Sequence, residues 1–142
     1  MSGLARDLEE LEREECLALL RSFTVGRVAI ATSNGALLVV PVNYVVDGDV
    51  VVFRSDPGEK LARLHERPAS FQIDFIDPYH RSGWSVLVQG IAYRAGASEV
   101  AHLDMVSWAG GDKPHWVRLV PEQITGRRLT PPDIPLDVRG YL

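Results

Sequence analysis

The chain has 142 residues, of which 46% are hydrophobic and 24% charged, and this excludes a disordered, collagenous or coiled-coil protein. A formal net charge of −4 argues against a nucleic-acid binder, which would carry a clustered basic excess. A single cysteine, Cys16, forbids an intramolecular disulfide, and no run approaches the roughly 20 apolar residues of a membrane span. A cytoplasmic protein of one domain, residues 1–142, without membrane or nucleic-acid partners, is therefore expected.

Leu4, Leu8, Leu11, Leu19 and Leu20 recur at mostly helical spacing, with Glu9, Glu10, Glu12, Glu14 and Glu15 between them. They predict an acidic amphipathic helix over about 4–22 whose charge run is a solvated face. From residue 25 the pattern turns β-branched. Val25 to Thr32 predicts a strand, and Ser33-Asn34-Gly35 a turn. Eight valines between Ala36 and Arg54 disfavour helix, and Asp47-Gly48 divides them as the loop of a hairpin. That loop would set Val46 opposite Asp49, Asn43 opposite Val52 and Val42 opposite Phe53. Alternation then places Asn43 and Arg54 on one face, with Val42, Tyr44 and Phe53 on the other. Pro41 belongs at an edge or where the ladder opens.

Asp56, Pro57 and Glu59 form a helix-start signature, predicting a short helix from about Pro57 to Glu66 that Pro68 ends. Ser70 to Ile76 follows as a strand with Phe71, Ile73 and Phe75 facing one way. Gly83 to Arg94 is a long strand with Gly90 as a bulge. Ser98 caps a predicted helix to about Ala109, and two strands close the pattern at 115–120 and 123–129, before an extended tail over 131–142. Six or more strands with short helices at the connections predict a mainly β chain, an antiparallel Greek-key barrel over about 25–130.

No nucleophile elbow, P-loop or dinucleotide-binding glycine pattern occurs, and the four histidines lack metal-ligand spacing. Cys16 reads as a buried structural thiol, Arg127-Arg128 is too short for a nucleic-acid patch, and Asp47 and Asp49 serve the turn. One constellation remains. A strand ends at Arg54, a hydroxyl follows at Ser55, and a helix N-terminus opens with Lys60 in its first turns, the groups an anion such as a phosphate requires. The alternative is that Asp56 and Glu59 satisfy those N–H groups while Arg54 and Lys60 are solvated.

Several ordered blocks carry a resemblance: Gly26-Arg27-Val28-Ala29, Val40-Pro41-Val42-Asn43-Tyr44, Asp47-Gly48-Asp49, Phe53-Arg54-Ser55 with Gly58-Glu59-Lys60-Leu61, and Gly83-Trp84-Ser85-Val86-Leu87-Val88-Gln89-Gly90. Over roughly residues 8–130 the chain resembles the pyridoxamine 5′-phosphate oxidase-like, FMN-binding split-barrel superfamily, in particular its small actinobacterial-type members. The resemblance implies a homodimer of six-stranded split barrels with FMN at the subunit interface. It implies cofactor contacts from Val42, Asn43, Phe53, Arg54, Ser55, Lys60, Leu61, Trp84 and Ser85, with Arg54, Ser55 and Lys60 on the phosphate. The activity implied is that of an FMN-dependent oxidoreductase acting on a small molecule, its catalytic residues unassigned. Alternatives are a deazaflavin-dependent reductase, a non-catalytic flavin or haem carrier or sensor, and a structural dimer that has lost its cofactor. Family members that oxidise the vitamin carry an arginine and a lysine on the strand here reading Pro41-Val42-Asn43-Tyr44-Val45, and a C-terminal Arg-x-His. Neither is present, which argues against vitamin B6 oxidation. Asn43 could equally cap the ladder at Pro41, Trp84 could be a packing aromatic, and Arg54 could pair with Asp74 or Asp56. Tyr79-His80-Arg81 falls in a loop near the expected groove.

Overall fold

A computed structural model describes residues 8–55, 60–105 and 115–131. Its elements are β1 (Leu8–Glu10), α1 (Arg13–Ser22), β2 (Val25–Ala31), β3 (Leu37–Asp47), β4 (Val50–Ser55), a 3₁₀ turn (Lys60–Arg63), β5 (Arg67–Asp77), β6 (Ser82–Ala95), α2 (Ala97–Val100) and β7 (His115–Leu129). Six antiparallel strands close in the order β2-β3-β4-β7-β6-β5, and β1 is added to β7 outside the ring. The chain passes from β4 to β5 across the barrel rather than to a neighbour, which is the Greek-key step. This is the split barrel that the strand pattern predicts.

Alternation builds the core. Val28 and Ile30 of β2, Val42 and Tyr44 of β3, Val51 and Phe53 of β4, Phe71 and Ile73 of β5, Val86 and Val88 of β6, and Val117 and Leu119 of β7 all point inward. Tyr44 and Phe71 meet edge to face with ring centroids 4.7 Å apart at its centre. Leu11, Cys16, Leu17 and Leu20 bring α1 over one end of the barrel, and Leu61 and Leu64 cover the other. A smaller cluster of Val50, Val52 and Val100 lies on the outer face, where α2 packs.

Several expectations are corrected. The predicted N-terminal helix is a strand followed by a shorter helix, because β7 outruns β4 and leaves an open edge at Arg127–Leu129 that Leu8–Glu10 pairs. The acidic residues from Glu9 to Glu15 are solvent-exposed as expected. In the hairpin Asp47 pairs with Val50, so Gly48 and Asp49 form the loop and Gly48 takes φ +67, suited to glycine as first loop residue of a II′ turn. Tyr44 therefore sits opposite Phe53, a two-residue change of partner. Side chains alternate with the same period, so the faces survive the change: Tyr44 and Phe53 are buried, whereas Asn43 and Arg54 stay on the outer face.

The helix expected from Pro57 to Glu66 is the 3₁₀ turn Lys60–Arg63; residues 56–59, including the capping residues Asp56, Pro57 and Glu59, lie outside the described residues. Glu66, three residues past that turn, adopts the left-handed region at φ 57, and β5 starts at Arg67, ahead of Pro68. Pro68 is tolerated because β2 pairs only with Ser70–Gln72, leaving that edge open at the proline. The helix capped by Ser98 is a single turn, Ala97–Val100, with Gly96 rather than Ser98 at its N-cap; Gly96 N–H donates to Glu99 Oε1 at 3.0 Å. Residues 106–114 lie outside the described residues, as do 132–142 of the expected tail.

The two predicted closing strands are one, running through Pro121. Between Leu119, the last partner of β4, and Arg127, the first of β1, that edge of β7 carries no strand, so a missing N–H is tolerated there. Gly90 pairs with Pro121 at the bulge expected of it, and a Cβ on Gly90 would stand 2.0 Å from the Val120 carbonyl. Pro41 lies beyond the last pairing of β3 with β4, as its lack of an N–H requires.

Candidate functional site

The end of β4 assembles the first group of candidate residues. Arg54 points outward, with its guanidinium 4.8 Å from the centre of the Trp116 ring on β7, its register partner. That cation–π contact fixes a long cationic side chain on the surface. Ser55 points inward, is 1% exposed, and its Oγ has no hydrogen-bond partner among the described residues. A buried hydroxyl without a partner is costly, and a ligand oxygen at this strand end would satisfy it. Its register partner His115 has Nδ1 3.4 Å from the Arg94 guanidinium, and Arg94 N–H donates to His65 Nδ1 at 3.1 Å. Arg54 and Arg94 thus place two guanidinium groups at this end of the barrel. Lys60 begins the 3₁₀ turn after β4.

Val42, Phe53 and Leu61 are buried in the main core, so only their backbones face outward. Asn43 lies on the outer face, its Nδ2 donating to the Thr24 carbonyl at 3.4 Å. The Asp74 carboxylate lies 3.6 Å from the Arg27 guanidinium.

Trp84 and Ser85 form a second group near the start of β6. Trp84 packs on the core and meets Phe23, just after α1, with centroids 5.2 Å apart. Both residues line a groove of about 570 Å³, with Leu8, Ile76, Pro78 and Leu129 among its apolar walls and Asp74, Asp77, Arg81 and Arg127 among its charged groups. His80 Nδ1 is 2.6 Å from Asp77 Oδ2 and its N–H donates to Oδ1 at 3.1 Å; these bonds hold the Asp77 carboxyl below its ordinary pKa. Burial pushes the Cys16 thiol up, as an inert structural cysteine requires.

The two groups lie towards opposite ends of one barrel. From Trp84 to Ala95, which pairs beside the Ser55 end, β6 runs about 35 Å at roughly 3.3 Å per residue. Arg81 lines the groove near which the sequence places Tyr79-His80-Arg81, whereas Trp116 was missed, because its role depends on which strand lies alongside. The Arg127-Arg128 pair was visible, but alternation splits it: Arg128 reaches Glu15 at 3.1 Å while Arg127 lines the groove.

The closed six-stranded antiparallel barrel is that of a split-barrel protein. The sequence profile of the pyridoxamine 5′-phosphate oxidase family matches residues 12–128, and the chain belongs to that family. An uncharacterised protein of Mycobacterium tuberculosis is 31% identical over 134 residues, covering 88% of each chain. The structure of an FAD-binding protein from Mycobacterium smegmatis is 33% identical with a TM-score of 0.71, covering 84% of this chain and 97% of that one. A Corynebacterium glutamicum protein provisionally named as a pyridoxamine 5′-phosphate oxidase is 28% identical, with a TM-score of 0.73 over 92% of this chain and 100% of its own.

Proposed function

We propose that the protein is a flavin-dependent oxidoreductase, binding FMN and acting on a small molecule as a cytoplasmic homodimer. The observation that carries this reading is the buried Ser55 hydroxyl at the end of β4, without a hydrogen-bond partner among the described residues, beside Arg54 and five residues ahead of Lys60. A phosphate supplies the missing acceptor, and Arg54 and Lys60 supply its counter-charge. The FAD-binding neighbour at 33% identity supports a flavin. When bound, the flavin supplies the redox chemistry. Arg54, steadied on Trp116, orients the phosphate, and Asn43 presents an amide to the ring from the same outer face. Trp84 and Ser85 line the groove at the other end of the barrel from Ser55, and in a homodimer a second copy would present them to the flavin.

Titration of the protein with FMN, followed by absorbance, tests this. Lys60→Ala should weaken binding by tenfold or more, and unchanged affinity removes the phosphate assignment. Wild-type protein that binds neither FMN nor FAD overturns the flavin reading, and tight binding without turnover of quinone or nitro acceptors by NADPH identifies a carrier instead.

A further inference from the structure

The groove at the α1 end of the barrel has a charge pattern that the flavin reading leaves unused. Four ionised side chains line it. Both carboxylates have partners within the chain: Asp74 has Arg27 at 3.6 Å and Asp77 has His80 at 2.6 Å. The two arginines have none among the described residues. Neither Arg81 nor Arg127 makes an ion pair or hydrogen bond among the described residues, although Arg13, Arg27, Arg118 and Arg128 each pair with a carboxylate. Glu10 is the register partner of Arg127 across β1, yet no ion pair joins them.

Each arginine is placed by its backbone. Arg127 stands on β7 directly opposite Ser85 of β6. Arg81 ends the β5–β6 turn at φ 53, a left-handed conformation that bulky residues seldom adopt, so an arginine is held where asparagine or glycine would fit with less strain. Between them the walls are apolar, formed by Leu8, Ile76, Pro78, Trp84 and Leu129, and the volume of about 570 Å³ is that of a small-molecule pocket. Two guanidinium groups with no carboxylate partner among the described residues, on an apolar, aromatic-walled groove, are complementary to one kind of occupant: a flat apolar body carrying a carboxylate, which guanidinium recognises through paired N–H donors.

We propose that this groove binds a small aromatic acid, its carboxylate held by Arg81 and Arg127 and its ring laid against Trp84. Calling that acid the substrate rests on the flavin reading above; the binding itself does not. The neutral amide of the same shape lacks the charge that the two arginines select, and a desolvated apolar wall alone does not distinguish the pair.

The test is calorimetric titration of the full-length protein with 2-naphthoate and with 2-naphthamide. The expected result is saturable one-to-one binding of the acid, with the amide at least tenfold weaker. Arg127→Gln and Arg81→Asn should each weaken the acid by about tenfold without changing the amide; asparagine keeps the left-handed backbone available at residue 81. Quenching of tryptophan fluorescence by the acid should disappear in Trp84→Phe. Equal affinity for acid and amide, indifference of both arginine variants, or no binding of either probe at millimolar concentration overturns the proposal. An FMN titration of the same wild-type sample separates the two readings: failure of FMN with arginine-dependent naphthoate binding removes the flavin and leaves the acid site standing.

Discussion

The phenol of Tyr44, in the middle of β3, donates a 2.6 Å hydrogen bond to the main-chain carbonyl of Leu20 in the last turn of α1. Both residues are fully buried, so this bond satisfies a helix-end carbonyl that has no partner within the helix and ties α1 to the barrel wall. Thr24 C=O, accepting from Tyr44 N–H at 3.0 Å, adds a second tie just past the helix.

Tyr44→Phe should cost about 1–2 kcal/mol, since it removes one bond and strands a buried carbonyl while leaving the Phe71 contact in place. Urea denaturation of the two proteins measures it. Burial pushes the Tyr44 hydroxyl well above its ordinary pKa. The unfolded chain ionises near about 10, so this stability is complete below about pH 10 and declines as pH rises from there towards the folded value. The phenylalanine variant should lack that contribution to the alkaline decline.

Gly126 of β7 allows α1 to sit flush on the barrel. A Cβ there would stand 2.6 Å from Cys16 Sγ and 3.0 Å from Leu11 Cδ1. Gly126→Ala should therefore destabilise by about 2–3 kcal/mol through overpacking. Cys16→Ala opens the space that the new methyl group needs, so the double variant should be more stable than the sum of the single losses. A double-mutant cycle by thermal melting checks this, with an expected coupling of about 1 kcal/mol or more.

What the sequence made legible depended on how locally each feature is determined. Eight valines around Asp47-Gly48-Asp49 specify a hairpin whatever surrounds them, and the inward set Val42, Tyr44 and Phe53 follows from alternation even with the loop misplaced by one residue. Leu8 was misread because its helical spacing from Leu4 and Leu11 carries no trace of the open β7 edge, created over a hundred residues later, that pairs it as a strand. Pro121 looked like a break for the same reason: the absence of a neighbour along one edge of β7 is a property of the closed barrel. Arg54, Ser55 and Lys60 are consecutive enough to be read as an anion site, whereas Trp116 beneath Arg54 required the β4–β7 register.

Ser55→Ala has an opposite sign in its two readouts. Without ligand it removes a buried hydroxyl that has no partner among the described residues, so the fold should be unchanged or stabilised by up to about 1 kcal/mol. In the flavin titration the same variant should lose affinity by about fivefold to tenfold, because the phosphate loses one donor. A ligand-free protein destabilised by more than about 1 kcal/mol would show that the hydroxyl serves the fold instead.

The outer face of β3 is the surface at which the proposed homodimer would form. Leu37 is 82% exposed and Val39 61%, and with Pro41 they form an apolar row at every second position. A contiguous apolar row on a sheet face is characteristic of a surface that is covered by a partner. Val39→Lys places a charge in the middle of that row and should convert a dimer to a monomer in sedimentation velocity. If the flavin is shared between two copies as proposed, the same substitution should also weaken FMN binding. A wild-type monomer at micromolar concentration would refute the dimer. A Val39→Lys protein that remains dimeric would move the interface away from β3, and with it the route by which one barrel completes the other's site.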